Sequence, residues 1–152
     1  MRANATILVV DDEEVVRHSH LRVLENEHCQ VEAVGDGEQA LKAMEAQPYD
    51  VVLLDLRMPG SDGMSILRTM KKRWPESEVI VITGYPSVDT AKEAIRLGAC
   101  DYLAKPLAPN EVIGAAQGAM EHKHWTLRCE GADAVDAGNT RGAAAQRSSF
   151  AG

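Results

Sequence analysis

Short apolar runs recur along this chain, each followed by a polar group and then by a stretch with helical spacing. Residues 6–10 are apolar and β-branched and predict a first strand, which ends in Asp11-Asp12-Glu13-Glu14. Val15, Val16, Leu21, Val23 and Leu24 recur at roughly helical spacing and predict a helix to about Glu27, capped by Asp12 or Glu13. Residues 30–34 predict a second strand. Gly35-Asp36-Gly37 reads as a turn, with Asp36 capping a helix over residues 38–46 that Pro48 ends. The central run, Val51-Val-Leu-Leu54, is continuously apolar, as expected of a strand buried on both faces, and Asp55 stands at its carboxyl end. Pro59, Gly60 and Gly63 then predict a loop. On this stretch alone, a helix-capping role for Asp55 competes with a reactive one.

The second half repeats the alternation. Met64, Ile66, Leu67 and Met70 give the apolar face of a helix reaching Trp74, where Pro75 terminates it. Residues 79–82 predict a fourth strand with Thr83-Gly84 at its end. Pro86 and Ser87 open a helix containing Ala91, Ala94, Ile95 and Leu97, and Gly98 is placed to end it. Asp101-Tyr-Leu-Ala104 predicts a short fifth strand leading to Lys105-Pro106, and a final helix runs from about Pro109 towards Trp125. Five strand–helix units imply an α/β fold with a doubly wound, five-stranded parallel sheet covered on both faces and joined by right-handed crossovers. The units differ in detail, so they do not read as a solenoid repeat.

Composition narrows the function classes. The chain has 152 residues, a net charge of -7 and a pI near 5.2, which favours one domain and gives no basic stripe for direct nucleic-acid binding. The start lacks the apolar core of a signal peptide, and no segment approaches the ~20 apolar residues of a membrane helix. Cys29, Cys100 and Cys129 are widely spaced and show neither metal-type pairing nor a disulfide framework, which suits a reducing cytoplasm. The main domain is expected over residues 1–124. Residues 125–152, rich in Ala and Gly and poor in large apolar side chains, are expected to form a weakly ordered extension or linker.

The polar ends of the strands carry the chemistry. In a parallel sheet, Asp11, Asp12, Asp55, Thr83 and Lys105 all fall at the carboxyl edge, where ligands gather. Three crowded carboxylates repel one another and call for a cation, and Mg²⁺ suits hard oxygen ligands. Lys105 adds a fixed positive charge and Thr83 a hydroxyl donor. A metal-bound carboxylate, an ammonium and a hydroxyl around one open position suit a phosphoryl group, with Asp55 as the nucleophile that becomes an aspartyl phosphate. No Ser-His-Asp or Cys-His arrangement competes. His18, His20, His28, His122 and His124 fall on helices or helix ends and are read as solvated.

Val9-Val-Asp-Asp12, Leu54-Asp55-Leu-Arg-Met-Pro-Gly60, Ile82-Thr-Gly84 and Asp101-Tyr-Leu-Ala-Lys-Pro106 together resemble the receiver domain of two-component response regulators, over roughly residues 5–124. The wording around Arg57-Met-Pro-Gly60 and Thr83-Gly-Tyr-Pro-Ser-Val-Asp-Thr90 is similar to the NtrC-like subgroup. The resemblance implies a flavodoxin-like sheet of order 2-1-3-4-5 and a cis Lys105-Pro106 bond. It implies phosphate transfer to Asp55 from a histidine kinase or phosphotransfer protein. Asp12, Asp55 and the Arg57 backbone carbonyl would be direct Mg²⁺ ligands, and Asp11 would act through water. Lys105 would pair with the phosphate, Thr83 and Tyr102 would form the switch pair, and Arg57 and Tyr85 would flank the phosphate. Partners would read the surface of the fourth helix, fifth strand and fifth helix. Such a protein signals rather than turning over a substrate, apart from slow self-dephosphorylation.

Three other functions compete with this one. A phosphatase or phosphotransferase working through an aspartyl phosphate would normally carry a second acid two positions after the nucleophile, where Arg57 stands. A flavin or nucleotide binder would need a phosphate cradle that the acids displace. A phosphorylation-independent receiver-fold binding module is the third. The output is a downstream protein or a missing effector domain. A phosphorylation-dependent dimer stays open, because most apolar positions of the last two helices must be core.

Overall fold

Alternation within the strands decides how the sheet is covered. The computed structural model describes residues 5–25, 29–58 and 61–132. Its long strands are β1 (Ala5–Val10), β2 (Cys29–Val34), β3 (Val51–Asp55), β6 (Glu78–Thr83) and β7 (Asp101–Ala104). They pair in parallel in the order β2-β1-β3-β6-β7, which is the expected 2-1-3-4-5 arrangement. Leu8, Val10, Val52, Leu54, Val79 and Val81 point to one face, and Ile7, Val9, Val51, Leu53, Ile80 and Ile82 to the other. The three central strands are thus apolar on both sides, as a doubly covered parallel sheet requires.

Helices α2 (Gly37–Ala46), α3 (Gly63–Arg73) and α4 (Val88–Arg96) cover the first face through Ala40, Met44, Leu67, Met70 and Ala94. Helices α1 (Glu14–Leu24) and α5 (Pro109–Ala132) cover the second through Leu24, Val112, Ala116 and Ala119. Each large side chain fully buried this way contributes about 1.5–3 kcal/mol. At the amino edge, Asp50 and Thr6 exchange side-chain and backbone hydrogen bonds of 2.9 to 3.2 Å, which lock β3 against β1.

The starts of the helices follow side-chain chemistry. Asp36, Asp62 and Ser87 each accept a hydrogen bond from a backbone N–H in the first turn of α2, α3 and α4. Helix α1 differs: Glu13 is its N-cap residue but makes no side-chain capping bond. Gly98 has φ of 111°, a conformation that favours glycine, and lies against the stem of Lys71.

Several expectations are corrected. Helix α1 stops at Leu24 rather than near Glu27, with Glu25 extended at ψ 128°. The loop after Asp55 contains a two-stranded antiparallel pair, β4 (Arg57–Met58) with β5 (Ser61–Asp62); Pro59 and Gly60 lie outside the described residues. Gly63 makes the close return of the chain possible, since a Cβ there would meet the Leu56 carbonyl oxygen at 2.5 Å. Helix α5 continues past Trp125 to Ala132. The chain divides into units Met1–Met120 and Glu121–Gly152, and of the second only the helical backbone to Ala132 is described, apart from the side chains of Glu121 and His122. Of the weakly ordered extension or linker expected over residues 125–152, residues 133–152 lie outside the described residues, and the readings of His28, His124 and the Cys129 thiol fall outside the described side chains.

Candidate functional site

Register brings the acids together. Val10 of β1 pairs with Leu54 of β3, so the residues that follow, Asp11 and Asp55, emerge side by side. Asp55 pairs with Ile82, and Thr83 with Ala104, which sets Thr83 and Lys105 at the neighbouring strand ends. Asp11 is 3% exposed and Asp55 4%, whereas Asp12 is exposed. One ligand oxygen from each of Asp11, Asp12 and Asp55 falls within 4.8 Å of the others.

Lys105 bridges the buried pair. Its Nζ lies 2.9 Å from Asp11 Oδ2, 3.1 Å from Asp55 Oδ2 and 3.6 Å from Glu13 Oε1. Burial alone would lower the lysine pKa, but its hydrogen bonds to Asp11 and Asp55 outweigh that and hold it above its ordinary value. The Asp55 pKa is raised as well, which for an acid disfavours the charged form. Burial pushes its carboxyl up, and the Arg57 N–H and Lys105 offset this only in part. The Arg57 N–H donates to Asp55 Oδ1 at 3.0 Å. Asp62, not Asp55, caps the following helix.

Asp12, Asp55, Arg57 and Lys105 line an open cleft together with Glu13, Leu56, Met58, Asp62, Gly84 and Tyr85, while Asp11 lies behind it, bonded to Lys105. The donor set fits a small hard cation: three carboxylates from two strand ends, all oxygen, with the Lys105 ammonium bridging two of them. Arg57 stacks on Tyr85, its guanidinium carbon 4.3 Å from the ring centroid, so the two form a cation–π pair at the cleft. Thr83 is 1% exposed and its Oγ1 accepts the Tyr85 N–H at 3.0 Å, leaving the hydroxyl proton for another acceptor. Tyr102 does not line the cleft. Its hydroxyl lies on the first turn of α4, 2.6 Å from Thr90 Oγ1.

Two residues escape a reading of the sequence. Glu13 is expected there only as a helix cap, but it is the third acid on Lys105, and its position straight after Asp11-Asp12 is the available signal. His20 is expected to be solvated, but it is 6% exposed, and its Nδ1 has no hydrogen-bond partner. Burial pushes its pKa down, against Asp11 and with Lys105. Its place on the inward stripe of α1, one turn before Leu24, is the signal that could reveal this. His18 is exposed beside Glu14, as expected. Burial raises the pKa of the Cys29 thiol, and raises that of Cys100 to about 12 with help from Glu78 and Asp101, so neither is an activated nucleophile.

Comparison with known proteins agrees with this geometry. The model of the response regulator receiver domain family matches residues 7–117. The chain is 37% identical over 117 residues to a putative NtrX-like response regulator of Rickettsia bellii, covering 76% of this chain and 24% of that protein. It is 35% identical over 124 residues to the alginate biosynthesis transcriptional regulatory protein AlgB of Pseudomonas aeruginosa, covering 82% of this chain and 28% of that protein. The crystal structure of the receiver domain of NtrX from Brucella abortus superposes with a TM-score of 0.71 at 37% identity, over 76% of this chain and 98% of that one. The chain therefore spans about a quarter of the length of the two curated relatives.

Proposed function

The chain belongs to the response regulator receiver domain family of two-component signalling, and from that premise we propose that it accepts a phosphoryl group on Asp55 and switches a protein-interaction surface. The observation that carries this reading is the buried Asp55 carboxylate at the cleft, hydrogen-bonded to Lys105 and within 4.8 Å of two further carboxylates. The donor is a histidine kinase or a phosphotransfer protein. An Asp55 oxygen bonds to phosphorus as the bond from phosphorus to the donor imidazole nitrogen breaks, and the imidazole takes up a proton. Asp12, Asp55 and the Arg57 carbonyl would hold Mg²⁺, with Asp11 behind a water, and the ion would neutralise charge on the transferring group. Lys105 already reaches the Asp55 carboxylate at 3.1 Å and turns its ammonium to the phosphoryl oxygens.

The phosphate adds nearly two charges and strong acceptors beside Thr83. Thr83 donates its free hydroxyl proton to the phosphate, and Tyr102 turns into the space it leaves. The surface of α4, β7 and α5 changes with it. Val88, Ile95 and Ile113 are exposed apolar positions there and suit a protein partner. The output is a downstream protein or an effector domain, and a phosphorylation-dependent dimer is one form of it. No helix among the described residues is long and apolar enough to cross a membrane. A cytoplasmic location fits the half-buried free thiols. The protein is a signalling element, with only slow loss of its own phosphate as turnover. Intact mass after incubation with acetyl phosphate tests the reading. A Mg²⁺-dependent gain of one phosphoryl group, absent in EDTA and in Asp55→Asn, is expected. No gain in folded protein with Mg²⁺ opposes it.

A further inference from the structure

The Tyr102 hydroxyl sits in a closed ring of hydrogen bonds at the start of α4. The Ser87 N–H donates to Tyr102 Oη at 3.3 Å, Tyr102 Oη and Thr90 Oγ1 are 2.6 Å apart, and Thr90 Oγ1 donates to the Ser87 carbonyl at 3.3 Å. One assignment of protons satisfies all three bonds: Ser87 N–H to Tyr102, Tyr102 O–H to Thr90, and Thr90 O–H to the Ser87 carbonyl. Bonds in such a ring polarise one another. Capping does not require the Thr90 hydroxyl, because Ser87 Oγ already accepts the Thr90 N–H at 3.1 Å. That hydroxyl also lies 2.9 Å from Ser87 Oγ, within the cap, and beyond the cap it adds a tie between two elements distant in sequence, α4 and β7.

The tie is short of the cleft by one loop. Residues 84–86 join Thr83, at the end of β6, to Ser87, the N-cap of α4. The same loop is fastened to Thr83 Oγ1 by the Tyr85 N–H and to Tyr102 by the Ser87 N–H. Any displacement of the Thr83 hydroxyl therefore acts on the segment that grips Tyr102.

We propose that Thr90 is a positioning residue for the Tyr102 phenol: with the Ser87 N–H it latches Tyr102 to the first turn of α4 while Asp55 is unmodified, so that the latch opposes occupation of the site. This rests on the phosphoacceptor reading above. Turning Tyr102 into the space behind Thr83 carries its hydroxyl off Thr90, and α4 loses the contact at the same moment. Removing the latch lifts a cost of switching, and a ligand that favours the switched state then binds more tightly.

The test measures Mg²⁺-dependent binding of beryllofluoride, an acyl-phosphate mimic, to the full chain by ¹⁹F NMR. Wild type, Thr90→Val and Thr90→Ser are compared, each with Tyr102 intact and with Tyr102→Phe. Thr90→Val is expected to bind about 3- to 10-fold tighter than wild type, the range for loss of one hydrogen bond. Thr90→Ser keeps the hydroxyl and is expected to match wild type. In the Tyr102→Phe background Thr90→Val is expected to change nothing, which a merely structural role would not produce. Thr90→Ala carries the same expectation if the valine variant does not fold. Unchanged or weaker binding by Thr90→Val, or equal tightening in the Tyr102→Phe background, overturns the latch while leaving the receiver reading intact. No binding by folded wild type overturns the phosphoacceptor reading and the latch with it.

Discussion

Replacing Asp55 by Asn should stabilise the metal-free protein. The Asn carbonyl can still accept the Arg57 N–H that Asp55 Oδ1 receives at 3.0 Å, so the main change is the charge. Three contributions compete. The Lys105 ammonium at 3.1 Å attracts Asp55 by about 5 kcal/mol at an effective dielectric of about 20. An Asp11 oxygen within 4.8 Å repels it by about 3 kcal/mol or more on the same scale. Burying a carboxylate that is 4% exposed costs several kcal/mol more. Repulsion and burial together exceed the attraction, in agreement with the raised Asp55 pKa, for which burial is the first cause. Lys105 keeps Asp11 at 2.9 Å and Glu13 at 3.6 Å after the substitution.

The net gain should be about 1–3 kcal/mol, or several degrees in Tm for a domain of this size. Its pH dependence follows from the raised pKa. The folded protein holds the Asp55 proton to higher pH than the unfolded chain. Wild type therefore loses stability as pH rises through that window, and the Asn variant gains its advantage there. Saturating Mg²⁺ should narrow or reverse the gap, since a ligand at 100 times its dissociation constant adds about 2.7 kcal/mol to the protein that binds it. Thermal melts at pH 7.5, in EDTA and in excess Mg²⁺, read both effects. An Asn variant that melts below wild type in EDTA would refute the reasoning.

Lys105→Met should act in the opposite direction. It leaves Asp11 and Asp55 buried without their ammonium, and urea unfolding in EDTA should show a loss of about 3 kcal/mol. His20→Leu should flatten the acid limb of the stability curve. The depressed His20 pKa means that the unfolded chain protonates first as pH falls below about 6.5. Stability is lost from there downward at up to about 1.4 kcal/mol per pH unit, and urea midpoints at pH 7.5 and 5.5 should differ less in the variant. Gly63→Ala should cost about 3 kcal/mol by urea unfolding, because its Cβ would meet Leu56 backbone atoms at 2.5 to 2.9 Å and neither segment can move away without loosening α3.

The fold was legible because period and chemistry agreed. The unbroken apolar run of β3 signals a strand covered on both faces, and Asp36, Asp62 and Ser87 stand where helix starts need acceptors, although the sequence pattern singles out only the first and last of these. The grouping of Asp11, Asp12, Asp55 and Lys105 follows from parallel topology alone, since carboxyl ends of parallel strands share an edge. The rest depends on distance in space. The pair of β4 and β5 is only two residues to a strand, too short for alternation to register. His20 is one polar residue on an otherwise ordinary stripe, and a lone histidine there carries no local sign that it is buried. The tie from Thr90 to Tyr102 spans twelve residues in sequence and exists only because β7 runs beside α4.

The central claim is that Asp55 is the residue phosphorylated. Borohydride reduction after treatment with acetyl phosphate and Mg²⁺ converts an aspartyl phosphate to homoserine, and tandem mass spectrometry of the peptides locates it. The account predicts homoserine at position 55 alone. Homoserine at Asp11 or Asp12, or phosphate retained on a histidine or serine with Asp55 unchanged, would contradict it.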